Sequence, residues 1–177
     1  MHKATVFGAF ILILLVLNFA IYQKEEHIKN GTSVLLELAP VDPRSLMQGD
    51  YMALRFDIAR RIYDALPHED NKHFWQGTNV KGNDGLVVVN LDKDNVATFD
   101  SLYKDNKTLR ENQMLLQYRI RGGQVKFASN AFFFQEGTAS AYDVAKYGEF
   151  KVNDNHTLLL VDMYDKNLRK IDVNATF

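Results

Sequence analysis

The sequence of 177 residues predicts a mainly β (α+β) domain, an antiparallel β-sandwich or barrel-like fold with short helices, preceded by one N-terminal transmembrane helix. A long apolar run opens the chain, alternating apolar and polar residues fill much of the remainder, and turn-forming residues recur at short intervals. Alternation with a period of two indicates half-buried strands, and closely spaced turns indicate antiparallel connections. These patterns predict about eight to ten short strands and two short helices.

The apolar run, Ala4–Tyr22, carries no charge. Its length is close to the ~20 residues that a helix needs to cross a bilayer. A cleaved signal peptide is the alternative, but such peptides have shorter apolar cores and a small-x-small cleavage site. The nearest candidate site, Asn18–Ala20, places a polar side chain where a small one is required. We therefore predict that residues 1–24 form a retained membrane anchor and that residues 25–177 form the β-rich domain.

The charges that flank the apolar run do not fix its orientation, because lysines lie on both sides and acidic residues count little in the positive-inside rule. Long polar domains cross membranes largely regardless of their charge. We therefore expect residues 25–177 to lie outside the cytoplasm. Within the run, Asn18 could hydrogen-bond a partner helix or its own helix backbone.

Composition excludes several function classes. A formal net charge of -1 leaves no excess of cations to replace phosphate counterions, so we expect no nucleic-acid partner. The chain has no cysteine, which excludes disulfides and thiolate metal sites. No pattern indicates a cofactor, and an oxidising compartment is compatible with this composition without being required by it.

The first predicted strand is Ser33–Ala39, which alternates, and a loop rich in proline, glycine and aspartate follows over residues 40–50. Alternation resumes at Tyr51. It places four apolar side chains on one face, which we predict to be core: Met52, Leu54, Phe56 and Ile58. Ile58, Ile62 and Leu66 then repeat at helical spacing and predict a short helix that ends before Pro67. Residues 68–84 are polar and predict an exposed loop.

The second half predicts strands at residues 85–91 and 96–103, and a hairpin over residues 113–129 in which Gly122-Gly123 forms a tight turn. Residues 130–137 predict another strand. Residues 138–148 predict a helix with Thr138 or Ser140 as N-cap, Asp143 in its first turn and Gly148 as its end. Further strands are predicted at Glu149–Val152 and Thr157–Tyr164, and Leu168–Val173 is a candidate for a third.

Two potential catalytic patterns fail on spacing. His68, Glu69 and His73 lack the four-residue histidine spacing that a zinc-binding helix requires, and Pro67 precedes them, so we predict no metal site. Ser45 precedes a Gly-Asp pair as in membrane-anchored serine–lysine peptidases, but it lies too close to Gly49. Where the nucleophile would fall, the chain has Val41, which has no hydroxyl to activate.

Two charged clusters remain, one around Asp42, Arg44 and Asp50 and one at Glu136. They could form a polar pocket for a ligand or for a loop of a partner. In the structural interpretation, which we favour, Asp42 bonds backbone amides, Gly49 adopts a backbone conformation that other residues avoid, and Glu136 pairs with an arginine. Neither cluster contains a nucleophile beside a positioned base, so we predict no catalytic residue.

The segment "GDYMALRF" (Gly49–Phe56) resembles the signature of the GDYXXLXY family, and "PVDPRSLMQ" (Pro40–Gln48) resembles the approach to it. Phe132–Phe150 is similar to the second landmark of that family. The last signature position holds Phe56 instead of tyrosine, on the face predicted to be core, so this chain argues against a catalytic role for that position. The resemblance marks these motif residues as structural or partner-binding: Asp42, Pro43, Arg44, Gly49, Asp50, Tyr51, Leu54, Phe56, Glu136 and Gly137.

The resemblance implies an uncharacterised bacterial inner-membrane protein with a periplasmic domain, acting as an accessory or interaction partner of a multi-spanning membrane protein. We add Arg55 to the residues that could contact this partner. A different class of function is a small-ligand sensor or hydrolase with a site near Asp50, Tyr51 and Glu136, for which those side chains must share a cavity. A purely structural envelope domain is a third hypothesis. Of these, a non-enzymatic role is the one that we favour.

Overall fold

The structure is a computed structural model that describes residues 2–39, 47–48, 51–66, 84–104, 108–129 and 131–173. Its helices are α1 (His2–Asn30), α2 (Asp57–Ala65) and a 3₁₀ helix (Ala139–Val144). Its strands are β1 (Thr32–Glu37), β2 (Met47–Gln48), β3 (Tyr51–Ala53), β4 (Gly85–Leu91), β5 (Ala97–Leu102), β6 (Gln113–Arg121), β7 (Gln124–Lys126), β8 (Ala131–Phe133), β9 (Ala145–Val152) and β10 (Leu158–Asp165).

Helix α1 contains the apolar run and continues beyond it to Asn30. Within the described ranges, Thr5–Asn30 is the one helix long and apolar enough to cross a membrane, and its apolar side chains are exposed. Asn18 Nδ2 donates to the carbonyl oxygen of Leu14 at 2.8 Å, which is a bond to its own helix backbone. Gly31 alone separates α1 from β1. The apolar segment is therefore joined directly to the β-rich domain.

The strands form three sheets with the orders β1-β9-β10, β5-β4-β6-β7 and β2-β3-β8, and all neighbours are antiparallel. A parallel bridge between Leu35 and Val96 connects the first sheet to the second. A second link joins β6 to the turn between β9 and β10, where the Gln117 amide donates to the His156 carbonyl at 2.9 Å. The sheets thus curl into a half-barrel, and the predicted mainly antiparallel β fold is confirmed.

The core follows the alternation in the sequence. Met52, Leu54, Phe56 and Ile58 are 2–5% exposed, as their shared face predicts. The extended segment ends before Ile58, so Ile58 reaches the core from helix α2. Ile62 of the same helix is also buried. The hairpin is confirmed too, since β6 and β7 meet at Gly122 and Gly123 with φ angles of 59° and 72°.

The helix predicted over residues 138–148 is shorter than expected. It is a 3₁₀ helix that ends at Val144, and Gly148 lies inside β9 instead of ending a helix. Pairing decides this, because β9 bonds to β1 on one edge and to β10 on the other, and tertiary pairing overrides a weak local helix signal. Residues 168–173 form no further strand, although Lys170 bridges to Tyr164.

Candidate functional site

The junction between α1 and the domain is fixed by specific contacts. His27 is 9% exposed, and its Nε2 lies 2.9 Å from the carbonyl oxygen of Lys151 at the end of β9. The Gly31 amide donates to the His27 carbonyl at 3.0 Å. A Cβ at Gly31 would lie 2.5 Å from that carbonyl oxygen and 3.0 Å from Lys151 Cβ, so only glycine fits. The helix therefore continues into the sheet as a packed joint.

Replacing His27 with alanine is expected to loosen this joint without unfolding the β-domain. The lost hydrogen bond contributes about 1 kcal/mol to docking of the helix end. The chain has no cysteine, so spin labels attached to Val16→Cys and Lys166→Cys would be the only labels in the protein. The distance distribution between the labels should broaden in His27→Ala. It should stay narrow in the control Lys29→Ala, which removes only an exposed pair with Glu25. Equal distributions in all three proteins would contradict this joint.

A polar cluster lies beside the joint on β1, β9 and β10. Lys151 Nζ donates to Ser33 Oγ at 2.6 Å, and that hydroxyl donates to Glu149 Oε1 at 2.8 Å. Tyr164 OH donates to Glu149 Oε2 at 3.0 Å, and burial together with this carboxylate raises the pKa of Tyr164 to about 12. These hydrogen bonds connect side chains of β1, β9 and β10 and so link the three strands.

The strand that follows Asp50 pairs with the aromatic strand of the second landmark. β3 lies between β2 and β8, with Tyr51 opposite Phe133 and Met52 opposite Phe132. Tyr51 is half-buried, and its ring lies 5.7 Å from that of Phe133, whose side chain is 74% exposed. The predicted residues Asp42, Pro43, Arg44, Gly49 and Asp50 lie outside the described residues. Tyr51 and the aromatic strand are thus brought together.

The two apolar signature residues that follow β3 pack in the core. Leu54 is 2% exposed and Phe56 is 3% exposed. The Phe56 ring lies edge-on to Phe127 and Phe150, with centroids 6.0 Å and 5.3 Å apart. Arg55, between them, is exposed. The last signature position therefore serves packing in this chain, in agreement with the sequence prediction for Phe56.

Within the second landmark, the aromatic strand is followed by an exposed turn. Glu136 and Gly137 are both exposed, and Gly137 has a φ of 83°, which favours glycine. Thr138 Oγ1 donates to the Gln135 carbonyl at 2.6 Å, and the Phe134 and Tyr142 rings stack at 5.3 Å. These contacts hold the turn against the 3₁₀ helix, with the Glu136 carboxylate at the surface.

A protein-family model described as GDYXXLXY protein matches residues 13–163, which is most of the chain. The chain belongs to the GDYXXLXY family. The match includes both segments that pair in the β3–β8 ribbon. Comparison with curated proteins and with solved structures gives no match.

In this GDYXXLXY chain, strand β8 forms one wall of an open groove of about 640 Å³. The start of β10, Gln117 and Arg119 of β6, and Lys24 of α1 line the groove as well. No local pattern in the sequence indicated this groove, because its residues come from four separate elements. Its lining includes Phe132 and Phe133 of the second family segment.

The described part of this GDYXXLXY chain offers no metal centre, since nowhere in it do three His, Asp or Glu side chains group so as to hold an ion. His68, Glu69 and His73 lie outside that part. The predicted hydrolase pocket required Asp50, Tyr51 and Glu136 to converge, and Asp50 also lies outside it. What the described residues present is a packed joint, a ribbon that exposes Phe133 and a groove.

Proposed function

We propose that this protein is a single-pass bacterial inner-membrane protein whose periplasmic domain binds a multi-spanning protein of the same membrane. The observation that carries the proposal is the packed joint between α1 and β9, through His27 and Gly31. A flexible tether suits capture of a diffusing ligand, whereas a packed joint holds one face of the domain at a constant height above the bilayer. A neighbouring membrane protein is the partner for which that constraint is useful.

The β3–β8 ribbon is the surface that we assign to this partner. It carries the two family segments, and it exposes Phe133 and the Glu136 turn. Exposed aromatic side chains are enriched where proteins bind one another. Core residues such as Leu54 and Phe56 fix the position of the ribbon without contacting the partner.

Membrane orientation is tested with single cysteines in the cysteine-free chain. Lys166→Cys lies in an exposed turn of the domain, and Lys3→Cys lies before the apolar run. In cells with a permeabilised outer membrane, a membrane-impermeant maleimide should modify Lys166→Cys and leave Lys3→Cys unmodified until lysis. The reverse pattern would place the domain in the cytoplasm, and loss of residue 3 from the mature chain would indicate cleavage.

The partner is tested by photo-crosslinking in the native membrane. A photoreactive amino acid replaces Glu136 on the ribbon or, as a matched control, Lys93 in the exposed turn between β4 and β5. We expect an adduct with a multi-spanning protein, identified by mass spectrometry, from position 136 and none from position 93. A chain that is crosslinked at neither position, and is recovered only as a monomer in mild detergent, would contradict the proposal.

A further inference from the structure

The groove between β8 and β10 lies at the end of the domain from which α1 emerges. It is lined by consecutive residues of both strands, Ala131–Phe133 and Leu158–Leu160. Since side chains alternate across a strand, lining by consecutive residues means that the strand edges themselves face the groove. Lys24 lines it as well, only two positions beyond Tyr22, the last residue of the apolar run.

This position places the groove at headgroup depth if α1 crosses a bilayer. At 1.5 Å per residue, Lys24 lies about 3 Å beyond the end of the apolar run. The polar layer of each leaflet is about 5–8 Å thick, from the difference between the ~30 Å core and the ~40–45 Å bilayer. The domain itself reaches this level, because Tyr22 and Asn155 line a common depression of about 520 Å³.

The chemistry of the groove suits an anionic headgroup. Two of its lining residues, Lys24 and Arg119, are cationic, and its described lining includes no acidic residue. Arg119 Nη2 donates to the Ala128 carbonyl at 3.0 Å, which fixes the position of the guanidinium. Arginine and lysine together bind phosphate oxygens through charge-assisted hydrogen bonds. Phe133, 74% exposed, adds an apolar ring of the kind that membrane-surface proteins bury at the boundary between headgroups and acyl chains.

We propose that this groove binds the headgroup of an anionic phospholipid in the bilayer that holds α1. Lys24 and Arg119 contact the phosphate, and Phe133, whose exposed ring lines the same groove, contacts the same lipid. The inference rests on the proposed membrane anchoring; it assigns the Phe133 edge of the ribbon to lipid and leaves the Glu136 turn to the protein partner. An extended segment of another protein is the competing occupant of the groove.

Contact with the bilayer is tested by tryptophan quenching in the full-length chain. The single tryptophan is removed by Trp75→Phe, and a new one is introduced as Phe133→Trp or, as control, Val144→Trp. Val144 is also exposed, at 61%, but it precedes β9, whose other end meets α1. In nanodiscs of phosphatidylglycerol brominated near the carbonyl ends of its chains, position 133 should be quenched several-fold more strongly than position 144. Equal quenching would overturn the inference.

Headgroup selectivity is tested by the lipids that remain bound. Native mass spectrometry measures which lipids the chain retains from a mixed nanodisc, and the wild-type chain should retain more phosphatidylglycerol than phosphatidylcholine. The double variant Lys24→Gln/Arg119→Gln should lose most of this excess. The matched control Lys166→Gln/Arg169→Gln removes two exposed cations beyond the far end of β10 and should keep that excess. If both double variants retained the same excess of phosphatidylglycerol, the inference would be overturned. A peptide bound in place of lipid at position 133 would overturn it as well. Failure of the wild-type chain to enter nanodiscs would instead contradict the proposed anchoring.

Discussion

Replacing Phe56 with alanine is expected to destabilise the domain by about 3–5 kcal/mol, the usual cost of removing a buried phenyl ring. The ring is 3% exposed and lies edge-on to Phe127 and Phe150, so the cavity would open where two sheets and α2 meet. Chemical denaturation of the full-length chain in mild detergent, followed by circular dichroism, measures the change. A loss of this size would be a large part of the ~5–15 kcal/mol by which native domains are typically stable.

Phe133→Ala is the matched control for Phe56→Ala, because the same atoms are removed from a side chain that is 74% exposed. We expect the free energy of unfolding to change by about 0.5 kcal/mol or less. Phe56→Leu, which keeps most of the volume, should cost about 1–2 kcal/mol. If Phe56→Ala were as stable as Phe133→Ala, the signature aromatic would not be a core residue, and a direct functional role for it would have to be considered.

Replacing Gly148 with valine is expected to cost about 1–3 kcal/mol through overpacking. A Cβ at this position would lie 3.3 Å from Phe56 Cε1, 3.3 Å from Leu160 Cδ1 and 3.5 Å from Phe150 Cε2. The two additional methyl groups of valine would enter space that these side chains already fill. Gly148→Ala should cost less, because alanine adds only the Cβ, and the neighbouring side chains need to move only slightly to accommodate it. The same denaturation experiment gives both values.

A double-mutant cycle tests whether Gly148 and Phe56 interact directly. In Gly148→Ala/Phe56→Leu, the smaller side chain at position 56 makes room for the new methyl group. The two costs should therefore not add, and we expect a favourable coupling of about 0.5 kcal/mol or more. Additive costs would show that the strain falls on Leu160 or on the backbone of β9 instead.

Much of the fold was predictable because the signals are local. The alternation from Met52 to Phe56 placed three core residues correctly, since period-two patterning reports which face of a strand is buried. The Gly122-Gly123 pair predicted a hairpin because glycine readily adopts the positive φ angles that a tight turn requires, and both residues have positive φ angles. Gly148 was misassigned as a helix end, because the reason for glycine there is the ring of Phe56, which is distant in sequence.

The candidate site was less predictable, because pairing across the chain builds it. The two family segments were recognised from their residues, but their adjacency as β3 and β8 follows from strand register. Ser33 and Lys151 were missed for the same reason, since they meet only when β1 pairs with β9. The groove was missed because α1, β6, β8 and β10 each contribute lining residues that form no sequence motif.

The packed joint at His27 has a mechanical consequence. If α1 crosses the bilayer, the helix and β9 together act as one lever, since the eight residues of β9 extend about 26 Å beyond the junction. Transmembrane helices tilt to match bilayer thickness. A change in tilt of about 10° would then swing the far end of the domain sideways by roughly 5 Å, converting the thickness of the membrane into lateral movement of the turns most distant from it.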